Sequence, residues 1–262
     1  MTLILAITAL LLYSTALAMR WRQRNHSQPN PGALWVTLAA LAIHALTCYS
    51  LLMTAQGIDL SLVTVSNIVA VALVAVIATA NVRLPVGNLY IFLFPISILA
   101  LCAAVLAPPG GRTFEQLTGA LVGHVLISLS AYSALMMAAA QSIMLAVQER
   151  HVRSPSKPRL ALLPPLETME RLLVAMLWIG LVLLSASILS GYLFLDNIFD
   201  NQALHHIVLT SLSWAVYVFF LTGRYFFGWR GLTAVRWTLV AFSLLVLGYL
   251  GSKFVTEYIL IS

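Results

Sequence analysis

The chain has 262 residues, 61% of them hydrophobic and only 8% charged, and soluble domains carry roughly one quarter charged residues, so a soluble globular fold is excluded. The net charge of +6 reads as a topology signal and a partner for anionic lipid heads, with no nucleic acid as partner. The sequence has no glycine-rich phosphate loop, no HExxH and no internal repeat, so ATP-driven and metalloprotease chemistry have no motif to rest on.

A helix needs about 20 mainly apolar residues to cross the roughly 30 Å hydrocarbon core. Eight stretches qualify, near 2–19, 35–55, 60–80, 89–106, 118–147, 171–194, 205–226 and 235–256. The predicted fold class is therefore all-α: a polytopic membrane helix bundle of eight transmembrane helices, forming one membrane domain over 1–262. The first stretch is no secretory signal, because Arg20, Arg22 and Arg24 follow the apolar run instead of preceding it. It is expected to stay as helix one, with its N-terminus outside. His44 falls about 9 residues into helix two, some 14 Å from the boundary at 1.5 Å per residue, and so near mid-membrane. No Asp or Glu lies within helices one to five at that depth, so a neutral ring is expected. Ser61, Thr64, Ser66 and Asn67 dilute the third stretch, and Pro95 predicts a kink in the fourth. Helix five, about thirty residues long, opens with His124 close to the headgroup layer. The segment 148–170, QERHVRSPSKPRLALLPPLETME, reads as an irregular linker because of Pro155, Pro158, Pro164 and Pro165. Glu167 and Glu170 suit the N-terminal dipole of helix six. Helix seven opens with His205 and His206.

Lys and Arg are retained on the cytoplasmic side during insertion. Alternate connections hold Arg20, Arg22 and Arg24; Arg83; Arg150, Arg153, Lys157, Arg159 and Arg171; and Arg224, Arg230 and Arg236, which is 12 of the 14 basic residues. Only Arg112 and Lys253 fall on the other side, so both termini are predicted outside. Trp21, Trp35, Trp229 and Trp237 all sit at the inferred cytoplasmic boundary, as an aromatic belt requires. Cys48 and Cys102 have no CxxC partner and read as small apolar packing residues.

His26 and His151 lie in basic loops and read as solvated. His124, His205 and His206 gather at the outer surface. His124, Ser128 and Tyr132 recur every four residues, and His206, Thr210, Ser213 and Tyr217 follow one face of helix seven. The two stripes are expected to face each other. For the serines and tyrosines, interhelical hydrogen bonding is the favoured account. For the three histidines a ligand role stands beside it. Zinc would need three or four ligands, with only Asp59, Glu115, Asp196 and Asp200 to add. Haem iron needs two axial ligands and an apolar slot, which makes His124, His205 and His206 haem iron candidates.

The segment 124–141, HVLISLSAYSALMMAAAQ, opens with His-Val and carries a tyrosine eight residues on. Together with SLSWAVYVFFLTGRYFFGWRG (211–231) and LLVLGYLGSKFV (244–255), it resembles the CcsA-like cytochrome c assembly membrane proteins. PPLETMER (164–171) and DNIF (196–199) place the resemblance nearest their YpjD and HemX-like subgroup. The resemblance implies an integral, multi-pass protein of a bacterial inner membrane that binds or handles haem at its periplasmic face without being an enzyme. It implies His124, His205, His206 and His44 as candidate cofactor-binding residues, His124 matching the family's first periplasmic histidine. Implied partners are the lipid bilayer, haem and other membrane proteins. The family's tryptophan-rich WWD segment is replaced here by GYLFLDNIFDNQALHH, which has no tryptophan and speaks against full synthetase activity. The alternative is a non-catalytic accessory of a transporter or of tetrapyrrole synthesis, with structural histidines.

Overall fold

Lipid offers no hydrogen-bond partner to a backbone, so the apolar stretches must satisfy their own N–H and C=O groups as helices. The computed structural model describes residues 2–23, 31–55, 57–82, 86–106, 113–114, 119–153, 165–194, 201–251 and 254. Arg24, His26, Arg83, Arg112, Glu115, Pro155, Lys157, Pro158, Arg159, Pro164, Asp196, Asp200 and Lys253 lie outside them. The chain divides into two compact units, one of residues 1–117 with 160–163 and one of 118–159 with 164–262.

The first unit holds α1 (Thr2–Gln23), α2 (Pro31–Leu52), α3 (Leu62–Ala80) and α4 (Tyr90–Leu106). Both α1 and α3 pack on α2 and on α4, closing a ring of four. The face of α1 turned inward is Ala6, Ala9, Tyr13 and Ala16, three alanines that let helices approach closely and one buried tyrosine. Helix two ends three residues before the predicted end at 55, because the chain turns into a strand. β1 (Met53–Thr54), β2 (Gly57–Asp59) and β3 (Thr113–Phe114) form a small antiparallel sheet, with Met53 opposite Ile58 and Ile58 opposite Phe114. Gly57 makes the reversal at φ 123°, a conformation only glycine adopts freely. The polar residues that dilute the third stretch have definite tasks. The Ser61 side chain accepts the Thr64 N–H as the cap of α3, and Asn67 crosses from α3 to the Ala100 carbonyl of α4 at 2.9 Å. Helix α4 runs on through Pro95.

The second unit holds α5 (Gly119–Arg153), α6 (Leu166–Phe194), α7 (Asn201–Phe227) and α8 (Leu232–Val246), followed by a π turn over Leu247–Gly251. Here α5 packs on α6 and α8, and α7 packs on the same two. Helix α6 starts five residues earlier than the predicted 171, taking in Glu167 and Glu170. Glu167 is exposed in the first turn, as the dipole reading expects. Glu170 instead reaches the α7–α8 connection, where its Oε1 accepts the Gly231 N–H at 2.7 Å. Arg224 Nη2 stands 3.8 Å from Glu170 Oε2, and Arg224 Nη1 donates to the Trp229 carbonyl at 3.1 Å. The Trp229 ring fills the space left by Gly223 and stacks on Trp237 at 6.0 Å.

Among the described residues seven helices are long and apolar enough to cross a membrane, and α4 is an apolar helix of 17 residues. The molecule is a polytopic all-α membrane bundle with one small sheet. Cys48 is buried and Cys102 half-buried, both as free thiols.

Candidate functional site

The end of the second unit at which α5 and α7 begin, and α6 and α8 finish, concentrates its polar side chains. His124 sits in the second turn of α5, and its Nδ1 lies 2.9 Å from Ser190 Oγ on α6. The serines around it decide its tautomer. The Ser190 hydroxyl donates to the Ser187 carbonyl at 2.9 Å, and the Ser128 hydroxyl donates to the His124 carbonyl at 2.7 Å. Ser128 Oγ, its own proton committed, then accepts from Ser187 Oγ at 2.6 Å. With the serine hydroxyls directed this way every serine proton is used, and the tautomer that completes the network carries the hydrogen on His124 Nδ1 and donates it to Ser190. In that arrangement His124 Nε2 keeps its lone pair, because the Ser128 hydroxyl 3.4 Å away has given its proton to the His124 carbonyl.

On α7, His206 is half-buried and His205 is exposed, so consecutive rings point to different surroundings. The His206 ring meets Tyr249 of the π turn edge-on at 5.7 Å, and Tyr249 packs at 5.1 Å on Tyr132 of α5. His206 also lies within electrostatic reach of His124. The register change of a π turn frees a carbonyl from the helical ladder, and the Tyr132 hydroxyl donates to the Leu245 carbonyl at that junction at 3.3 Å. Thr210, one turn beyond His206, stands near the Tyr132 hydroxyl, but its own Oγ1 is buried with no hydrogen-bond partner. Deeper along the stripe, Ser213 Oγ donates to the Ala241 carbonyl of α8 at 2.7 Å.

The two predicted stripes therefore converge, but they do not simply face each other. The α5 stripe bonds to α6 through His124 and Ser128 and to α8 through Tyr132, the α7 stripe bonds to α8 through Ser213, and Tyr249 packs on both His206 and Tyr132. Sequence reasoning missed Ser187, Ser190 and Tyr249. The signal for the serines was SASILS, in which hydroxyls recur at helical spacing inside an otherwise apolar run; for Tyr249 it was its place between two glycines in GYLG.

His44 belongs to the first unit and is fully buried. Asn67 Nδ2 donates to the Val63 and Ala100 carbonyls at 2.8 and 2.9 Å, so its Oδ1 is the atom 3.0 Å from His44 Nε2. His44 thus donates from Nε2, and its Nδ1 stands 3.4 Å from the Tyr13 hydroxyl as an acceptor. Both ring nitrogens face side chains of neighbouring helices within the first unit. His151 is half-buried in the last turn of α5. Among the described residues no three His, Cys, Asp or Glu side chains gather as a metal site.

The chain is 28% identical over 264 residues to the inner membrane protein YpjD of Escherichia coli K12, covering 98% of this chain and 99% of that protein. YpjD of Escherichia coli O157:H7 matches to the same extent. An uncharacterized 28.8 kDa protein in the nifR3-like 5' region of Azospirillum brasilense is 33% identical over 140 residues, 52% of each chain. No solved structure matches. The model of the cytochrome c assembly proteins matches residues 34–260. The chain is an integral, multi-pass protein of the inner membrane and belongs to the cytochrome c assembly protein family.

Proposed function

We propose that this protein holds haem at the periplasmic end of its second unit, as a non-catalytic assembly accessory, with His124 and His206 as the iron ligands. The observation that carries the reading is the 2.9 Å contact of His124 Nδ1 with Ser190 Oγ, which suits a ring held by one nitrogen. Metal-bound imidazoles commonly donate the remote ring N–H to a fixed acceptor, which orients the ring and leaves the other nitrogen to the metal. Ser190 is such an acceptor, and His124 Nε2 is the lone pair that remains. His206 is within electrostatic reach of His124 and has the Tyr249 ring at its edge, a flat neighbour of the kind a porphyrin needs. Haem fits this donor set. His205, exposed on α7, is assigned no ligand role, and His44 a structural one.

Purified protein produced with ample haem should show the Soret band of low-spin, bis-imidazole iron, because two strong-field nitrogens favour that state. His124→Ala and His206→Ala should each lose or change the spectrum, and His205→Ala should leave it intact. Added imidazole should restore some occupancy to His124→Ala. If the wild type neither carries haem nor takes it up on titration, the ligand assignment fails and the stripes are helix packing.

A further inference from the structure

The buried stripe of α1 runs Ala6, Ala9, Tyr13 and Ala16, and its next position is Arg20. A charge thus continues a row of small and aromatic residues on a helix that packs on α4. The Arg20 guanidinium lies over the ring of Tyr90, the first residue of α4, with Cζ 3.7 Å from the centroid, and Phe94 stands 5.9 Å away. Stacking on an aromatic face holds a guanidinium in place but does not neutralise it.

No carboxylate pairs with Arg20 among the described residues. The first 117 residues contain two acids, Asp59 and Glu115. Asp59 accepts from the Ser61 backbone and hydroxyl and from Thr64 at the start of α3, which the whole length of α2 separates from the end of α1. Glu115 lies outside the described residues. Arg20 Nε and the Tyr90 hydroxyl are both buried without a hydrogen-bond partner. A half-buried cation with no counter-charge is costly at the edge of the hydrocarbon layer, and so are unpaired buried donors. The anion most abundant where a membrane helix ends is the phosphate of a lipid headgroup, and the planar guanidinium fork matches phosphate geometry.

We propose that Arg20, stacked on Tyr90, forms a specific phosphate-binding site for an anionic phospholipid at the membrane boundary where α1 ends. Arg22, two residues on and exposed, lacks the aromatic platform and is the natural control. The full chain is reconstituted in bilayer discs of phosphatidylcholine mixed with phosphatidylglycerol, and the lipid retained after release is counted by native mass spectrometry. The wild type should retain phosphatidylglycerol in preference to phosphatidylcholine. Arg22→Gln should lower that retention at most about fivefold, the roughly 1 kcal/mol that any basic side chain near a charged surface contributes, and Arg20→Gln, which also loses the stacked site, by clearly more. Should Arg20→Gln fail to insert, Arg20→Lys, which keeps the charge but loses the stacked fork, should also retain less. In a separate arm, inorganic phosphate is titrated into the detergent-solubilised protein while its thermal unfolding is followed. Stabilisation by phosphate that depends on Arg20, without any lipid preference, would assign the site to free phosphate and overturn the lipid proposal. Undiminished retention in both Arg20 variants overturns it as well.

Discussion

Two imidazoles in this protein have opposite hydrogen-bond accounts, and the difference assigns their roles. His44 has both nitrogens engaged, through Asn67 at 3.0 Å and Tyr13 at 3.4 Å, so it joins α2 to α3 and α1. His44→Leu would leave the buried Asn67 Oδ1 without its donor, at a cost of about 1–3 kcal/mol. His44→Asn, which can still donate, should cost less. Combining His44→Leu with Asn67→Leu should be less damaging than the sum of the single changes, since the second removes the orphan the first creates. Thermal unfolding of the four proteins measures this, and strictly additive losses would remove the pairing from the argument. His124 instead keeps one nitrogen uncommitted because Ser190 accepts from the other. Ser190→Ala removes that acceptor and lets the ring change tautomer. Haem affinity should then fall by roughly 10–100-fold, the usual consequence of losing a group that orients a metal-bound histidine. Ser190→Thr, which keeps an acceptor oxygen, should recover most of it. Equal affinity in the wild type and Ser190→Ala, with haem bound by both, would show that the serine does not set the ring.

At the scale of elements, the α7–α8 connection is held by residues distant in sequence. Gly231 has φ +55°, its N–H is bound by Glu170, and a Cβ there would meet Glu149 Oε2 at 2.9 Å. Gly231→Ala therefore combines a left-handed backbone penalty of about 1–2 kcal/mol with displacement of a carboxylate. Gly123, inside α5, has open space where a Cβ would go and no positive φ. Gly123→Ala should stabilise by about 0.5–1 kcal/mol through helix propensity alone. Opposite shifts in unfolding temperature for these two glycine substitutions are the expected outcome, and equal shifts would refute the reading of the turn. The contrast also marks what a sequence can and cannot reveal. Apolar length located all eight helices, because a membrane makes hydrophobicity and helicity nearly the same statement. The end of α2 was not legible, since a two-residue strand depends on partners at Ile58 and Phe114 that only the folded chain supplies. The same holds for Glu170, whose place at a helix start suggested a dipole contact while its oxygen closes a turn 61 residues away.

For the whole molecule, both units close the same ring, each odd-numbered helix packing on both even-numbered ones, although no internal repeat is visible in the sequence. Four antiparallel helices with short connections reach that arrangement by packing alone, so it needs no shared sequence. The histidine stripes were legible because helical spacing alone aligns His124 with Ser128 and His206 with Thr210. The helix each stripe bonds to was not, because Ser187 and Ser190 become neighbours of His124 only through the packing of α6. Orientation is the property that depends on all the helices at once. Arg20 and Arg22 close α1, Arg150 and Arg153 close α5, Arg171 follows the start of α6, and Arg224, Arg230 and Arg236 surround the α7–α8 turn. With eight crossings all of these are expected on the cytoplasmic side and both termini outside. The weakest member is α4, whose 17 residues reach about 26 Å at 1.5 Å per residue, short of a core of roughly 30 Å. A shorter span is accommodated by local thinning of the bilayer at modest cost, and an apolar helix left out of the membrane would cost far more. We therefore expect α4 to cross. Reporter fusions active only in the exported compartment should be active when joined after Leu106 and after Ser262, and inactive when joined after Arg153. Activity after Ser262 alone would not be enough, because the test of α4 is the fusion that directly follows it. A silent reporter after Leu106 would mean that α4 fails to cross, and every later helix would then have to be reassigned or the basic residues after α5 would face outward.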